Sequence, residues 1–242
     1  MDAIRIENLT KRYKDVTAVD GLTLAVQQGE LLALLGVNGA GKTTTIKMLS
    51  CLASPDGGDA WLLGHSIRTD GAEVKKIIAV SPQETAVAPG LSVRENLELM
   101  WGVHGFSREN RNEKITELAA LLGLQAVMGR KAGKLSGGWQ RRLSIAMALI
   151  SQPKILFLDE PTLGLDVLAR AELWDLIRSL KGKITIILTT HYMEEAEALS
   201  DRVAIMAAGR LLKCDTVANI KADTDTATLE EAFIRTVRGA GL

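Results

Sequence analysis

The chain has 242 residues, 47% of them hydrophobic and 24% charged, the make-up of a globular protein with a sizeable core, as one large domain or two small lobes. Its 29 basic and 29 acidic side chains cancel, which argues against a nucleic-acid partner. The two cysteines and three histidines are scattered, with neither metal-ligand spacing nor a disulfide framework.

Near the N-terminus, "AIRIENL" and "LTLAV" alternate apolar and polar residues, which predicts strands with one covered face. "ELLALLG" is almost continuously apolar, as expected of a strand buried on both faces. It runs into "GVNGAGKTT" and a predicted helix, "KTTTIKMLSCL", in which Cys51 reads as a small buried hydrophobe. "KIIAVSPQ" predicts a further strand ending at a Pro-Gln loop. Ser92 and Glu95 form a capping box before "VRENLELMW". Ile115, Leu118, Ala119 and Leu122 share one face of the next helix. "LSGG" opens another, with Leu143, Ala146, Met147 and Ile150 on one side. "ILFLDEP" reads as a buried strand stopped by Pro161. Asp166 then caps a helix that turns Leu173, Leu176, Ile177 and Leu180 inward, and "ITIILTTH" is a further buried strand. "RVAIMAAGRLLKC" predicts a hairpin, and Thr228 caps a short helix near 228–238. The start of the chain has no apolar signal-peptide segment, and no apolar run reaches the length of a bilayer crossing. This order predicts an α/β chain with a largely parallel sheet, interrupted by a helical lobe at about 85–150.

Two carboxylates and a loop carry the chemistry. "GVNGAGKTT" matches G-x-x-x-x-G-K-[ST] at Gly36, Gly41, Lys42 and Thr43, between a buried strand and a helix as that pattern requires. Glycines let successive N–H groups curl around phosphate oxygens, Lys42 adds charge at the β- and γ-phosphates, and the Thr43 hydroxyl suits Mg²⁺. Asp159 ends a buried strand at the sheet edge where this loop lies, suited to hold Mg²⁺ through water. Glu160 is one residue on, so strand alternation should turn the two carboxylates apart, one to the metal and one to a water. "LSGG" is a second helix start fit for phosphate, with a hydroxyl and two small residues, although those four letters alone equally describe a plain capped helix.

The ordered set of the loop, "SPQ", "LSGG", "ILFLDEP", "GLD" and "TTH" resembles the ATP-binding cassette family over about residues 3–215. "SPQET", "LSVRENLELMWGVHG" and "EPTLGLD" look most like single-cassette subunits of bacterial exporter-type transporters. The resemblance implies a P-loop NTPase core, an antiparallel N-terminal β subdomain and an inserted helical subdomain, with residues 1–220 binding nucleotide and 221–242 a short helical extension. It implies two cassettes closing head to tail on ATP, so that the second phosphate site serves the partner's nucleotide. Gly36, Asn38, Gly39, Ala40, Gly41, Lys42, Thr43 and Thr44 would cradle ATP, Tyr13, placed after the first strand, would stack on adenine, and Ser136, Gly137, Gly138 and Asp166 would meet the nucleotide across the dimer. Glu160, His191 and Gln83 would be catalytic, and Thr43, Gln83 and Asp159 would hold Mg²⁺.

The implied partners are a transmembrane permease, docked near Gln83 where "ETAVAPGL" reads as a free apolar loop, and a second ATPase subunit. The implied location is peripheral, on the cytoplasmic face of the cell membrane, with no nucleic acid. Trp139 departs from the family, which commonly has Gln at that signature position. Two rival classes are a soluble cassette acting on ribosomes or DNA and a small-molecule P-loop kinase. The first usually carries a second cassette or a coiled-coil insert, and the second has no need of "LSGG".

Overall fold

The computed structural model describes residues 1–241. Two sheets organise it. In the first, β1 (Asp2–Tyr13) and β2 (Val16–Gln27) form an antiparallel pair joined by β4 (Gly57–Leu62) and β5 (His65–Ser66), in the order β2-β1-β4-β5. Residues such as Ile4, Ile6 and Leu9 of β1 are buried, while Arg5 and Glu7 between them are exposed.

The second sheet has the order β10-β9-β3-β8-β7-β6. Its strands are β3 (Leu31–Leu35), β6 (Ile78–Ser81), β7 (Ile155–Asp159), β8 (Thr185–Thr190), β9 (Arg202–Ala207) and β10 (Arg210–Asp215). All neighbours are parallel except the β9–β10 hairpin. β3 lies between β8 and β9 with all five residues buried, which is why it carries no polar alternation. Register matters most for function. Leu35 pairs with Thr190, and Asp159 with Thr189, so the C-terminal ends of β3, β7 and β8 finish side by side. The crevice beyond those ends is where a parallel sheet takes its ligands.

The helices are α1 (Lys42–Leu49), α2 (Gly71–Ile77), α3 (Val93–Val103), α4 (Arg111–Leu121), α5 (Gly137–Leu149), α6 (Val167–Leu180), α7 (Met193–Leu199), α8 (Val217–Thr224) and α9 (Leu229–Gly239). Leu97 and Trp101 of α3, Ile115 and Ala119 of α4 and Leu143 of α5 pack in one core. Both capping boxes are present, Ser92 with Glu95 and Thr228 with Glu231. α9 buries Leu229, Ala232 and Phe233 against Leu35, Ala196 and Ile205 of the sheet side. Its neighbour α8 starts at Val217, before the expected boundary at 220, because Thr216 caps it by accepting from Asn219 N–H.

Several local expectations change. Cys51 is not in a helix: α1 ends at Leu49, and Cys51 is a half-buried residue with φ +56°, in the left-handed turn that closes the helix. The strand read from "KIIAVSPQ" begins only at Ile78, since Lys76 and Ile77 finish α2. Tyr13 is the last residue of β1 rather than beyond it. The loop "ETAVAPGL" is not free. Asn96 of α3, fully buried, accepts from Ala88 N–H at 2.8 Å and donates to the carbonyls of Ala88 and Ser92, while Val87 packs on the helical core. Ala86 and Pro89 of the loop stay exposed, and the large exposed apolar residues of this region are Leu99, Val103 and Phe106.

Candidate functional site

The loop after β3 wraps the start of α1. Gly41 has φ +100°, and a Cβ there would stand 2.5 Å from the carbonyl oxygen of Ala18; one on Gly36 would stand 2.4 Å from that of Met206. Both positions therefore exclude a side chain. Lys42, 6% exposed, donates from Nζ to the carbonyls of Gly36 at 2.7 Å and Val37 at 3.3 Å. The same Nζ lies 3.3 Å from Glu160 Oε1, and His191 Nδ1 lies 2.7 Å from Glu160 Oε2. One buried carboxylate thus stands between the loop lysine and the histidine at the end of β8.

Asp159 faces elsewhere. Its Oδ1 accepts from the Thr43 hydroxyl at 3.1 Å and the Thr189 hydroxyl at 2.5 Å. Thr189 also accepts the Glu160 N–H, at 3.0 Å through Oγ1, and its backbone carbonyl lies 3.1 Å from the same N–H. The two carboxylates diverge as expected, but not by strand alternation. β7 ends at Asp159, and Glu160 takes φ +47°, a left-handed conformation costly for a side chain with a Cβ. The double acceptor on Thr189 holds it there.

A cavity of about 620 Å³ opens over these groups. Asn38, Gly39, Ala40, Gly41, Lys42, Thr43, Thr44, Gln83, Glu160 and His191 line it. Gly36 contributes through its carbonyl on Lys42, and Asp159 from behind Thr43. Tyr13 is not in the wall. It is 46% exposed with Lys11 Nζ 5.3 Å from its ring centroid, while Val16, Thr17 and Ala18 of β2 form that side of the cavity.

Ser136, Gly137, Gly138 and Asp166 lie outside this cavity's wall, on exposed or half-exposed surface. Ser136 sits at the N-cap of α5 yet makes no capping bond with its side chain. Gly137 is open to solvent, whereas a Cβ on Gly138 would stand 3.0 Å from Cβ of Ala169 on α6. So Gly138 is small for packing inside the chain. Asp166 caps α6, accepting from Ala169 N–H at 2.9 Å. Trp139 is half-buried against the helical core, with the Arg142 guanidinium 5.1 Å from its ring.

One connection escapes sequence reading. Arg141 of α5, 5% exposed, donates to the carbonyls of Pro82 at 2.6 Å and Gln83 at 2.5 Å. Burial pulls its guanidinium pKa down, opposed by the charges of Asp159 and Glu195. It ties the Gln83 loop to the helix that Ser136 starts. In the sequence it is one of two adjacent arginines on an amphipathic helix, where a solvated role is the ordinary reading.

The ABC transporter family model matches residues 19–163. The chain is 41% identical over 215 residues to human phospholipid-transporting ATPase ABCA3, a match covering 87% of this chain and 13% of that protein. It is 41% identical to the daunorubicin/doxorubicin resistance ATP-binding protein DrrA of Streptomyces peucetius, covering 90% of this chain and 67% of that one. It is 44% identical to the Nod factor export ATP-binding protein I of Burkholderia orbicola (strain AU 1054), covering 86% and 68%. Among solved structures, the dimeric post-hydrolysis state of the ATP-binding cassette MJ0796 bound to ADP and Pi superposes with a TM-score of 0.79 at 26% identity, covering 88% and 98%. With the loop, the two carboxylates and the separate Ser136 face in this arrangement, the chain belongs to the ABC transporter family as one of its ATP-binding cassettes.

Proposed function

We propose that this chain is the ATP-hydrolysing subunit of a transporter, closing on a second cassette around ATP and driving a separate transmembrane partner. The observation that carries the reading is the Glu160 carboxylate held between Lys42 and His191 at the wall of the loop cavity. Glycine N–H groups and Lys42 bind the β- and γ-phosphates, which compete with Glu160 for the lysine's charge. Glu160, released toward the cavity, orients a water in line with the γ-phosphate and accepts its proton, and His191 keeps the carboxylate aimed. The left-handed backbone of Glu160 aims it away from Asp159, so the two acids do separate work.

Thr43, Asp159 and Gln83 fit Mg²⁺: a hydroxyl, one carboxylate and an amide oxygen are the hard donors that ion takes alongside phosphate oxygens and water. Bound there, it neutralises charge on the β- and γ-phosphates. Tyr13, paired across β1 and β2 with Val16 of the cavity wall, would supply a stacking face for adenine. Ser136, exposed and with its side chain making no capping bond, meets with Gly137 and Gly138 the γ-phosphate held by the second cassette, and Asp166, also exposed, reaches across the same dimer.

Among the described residues no helix is long and apolar enough to cross a membrane. The permease of this proposal is a separate chain, and the cassette sits peripherally on the cytoplasmic face of the cell membrane. Leu99 and Val103, on one face of α3, and Phe106 beyond it offer that permease an apolar landing. Export rather than import is favoured by the drug-resistance and Nod factor export relatives. The units of this reading are a nucleotide-binding part that includes the helical lobe at about 85–150 and ends before α8, and the C-terminal helices α8 and α9 as an extension.

The test is solution mass of Glu160→Gln by light scattering, with and without Mg-ATP. A doubling only with nucleotide is expected. ATP binding without any dimer, alone or with the permease present, overturns the shared-nucleotide reading. Phosphorylation of an added acceptor in place of hydrolysis favours a kinase.

A further inference from the structure

Glu195 of α7 has no exposed surface, and it belongs to none of the roles above. Its Oε1 accepts the indole N–H of Trp174 on α6 at 3.1 Å. Its Oε2 is buried without a hydrogen-bond partner, and so is the hydroxyl of Thr162. Thr162 follows Pro161 directly after Glu160, at the root of the loop that leads to Asp166. Thr190, completely buried, precedes His191 and accepts the Tyr192 N–H. Both threonine hydroxyls stand near enough to the Glu195 carboxyl to act on its charge. One side chain therefore sits where three segments meet: the exit of β7, the exit of β8 and helix α6.

Two unpartnered buried oxygens in one cluster are uncommon in a folded protein. A small shift that brings the Thr162 hydroxyl onto Oε2 would satisfy both, since a hydroxyl donates to a carboxylate oxygen. Burial pushes the Glu195 carboxyl up, and the negative charge of Glu160 pushes the same way, against the pull of the bonded Trp174 indole and the neighbouring Thr190 and Thr162 hydroxyls.

We propose that Glu195 is a positioning residue that joins the Thr162 loop root and α6 to the Thr190–His191 strand end, so that engagement of the exposed Asp166 loop reaches the Glu160–His191 pair. This rests on the reading that Glu160 and His191 act on the attacking water. The linkage is mechanical. α6 begins at Val167, directly after Asp166, and Trp174 lies two turns along it. A shift of that loop moves Trp174 and Thr162 together, and Glu195 passes the shift to the segment that carries His191.

The test compares Glu195→Ala and Glu195→Gln in the full chain, measuring kcat and KM for ATP, melting temperature, and ATP-driven dimer formation in a Glu160→Gln background. Glu195→Ala is expected to lower kcat about tenfold or more with KM within about twofold and the dimer intact, the pattern of an interaction felt only in the transition state. Glu195→Gln is expected to keep kcat within about threefold, because a carboxamide still accepts from Trp174 and donates to Thr162. Wild-type kcat in Glu195→Ala overturns the proposal, as does a parallel loss of kcat, nucleotide binding and dimer, which marks a merely structural residue. If Glu195→Ala does not fold, Thr162→Val removes the other half of the contact at nearly constant volume. It should show the same kcat-selective loss, and unchanged turnover there overturns the proposal. An absence of ATP binding and hydrolysis in the unmodified chain would instead sink the proposed function itself.

Discussion

At the start of α1, Lys42 Nζ reaches the Gly36 carbonyl and Glu160, and Thr43 reaches Asp159. At the start of α5, the Ser136 side chain caps nothing and Gly137 faces solvent. Both are helix starts suited to phosphate, but the first is assembled from four strand ends and loops of one chain, and the second is finished on only one side. Polar groups that are prearranged and satisfied within the chain can bind without help. A helix start whose donors point outward needs a ligand carried by something else. On the proposed reading, the contrast explains why one chain carries two such sites, the second serving nucleotide held by another cassette.

Breaking the assembled side should have the largest effect. Glu160→Gln is expected to slow hydrolysis by about 10²–10⁴-fold while ATP still binds, as for loss of a general base. Phosphate release under saturating Mg-ATP checks this, and near-normal turnover would move the base elsewhere. Breaking the unfinished side should separate binding from turnover. Ser136→Arg puts a bulky cation on an exposed position, so the isolated chain should fold and bind nucleotide normally, yet form no ATP-driven dimer and hydrolyse at least about tenfold more slowly, the signature of a lost transition-state contact. Equilibrium nucleotide binding alongside light scattering reads both halves, and weakened binding by the monomer would mean Ser136 serves its own chain.

Two smaller effects sharpen the contrast inside the signature itself. Gly138→Val should destabilise the monomer by about 1–3 kcal/mol through overpacking against Ala169, whether or not nucleotide is present. Gly137→Ala, with only Leu165 Cδ2 at 3.6 Å, should leave monomer stability nearly unchanged. Equal melting shifts for the two would erase the distinction between packing glycine and facing glycine. A further modest change is expected of Asp166→Ala. Loss of the cap on α6 costs about 1 kcal/mol, measured by denaturant unfolding without nucleotide. A stability loss near zero would show that the carboxylate is kept for the dimer face alone.

The legible part of this chain was local. Largely apolar runs at 31–35, 155–158 and 184–188 read as buried strands because a strand covered on both faces shows no regular polar alternation. Capping boxes at Ser92 and Thr228 and the Gly-Lys-Thr loop are written in contiguous residues whose backbone geometry follows from their type. Tertiary structure decided what depends on residues far apart in the chain. Glu160 adopts φ +47° because Thr189, on another strand, offers its N–H two acceptors. The loop near Gln83 is fixed because Arg141 grips its carbonyls and Asn96 grips the turn beyond, so an apolar stretch that looked free in sequence is held. Tyr13 lies outside the cavity wall while Val16 to Ala18 line it, a matter of how β1 and β2 pair. Sequence by itself therefore determined the buried central strands, the phosphate loop and the pair of acids, since each is set by neighbours within a few residues, while the short strands β4 and β5 went unread. Only the folded sheet decided which way each acid faces and which helix start is left open, because those depend on side chains that parallel register brings together from distant segments.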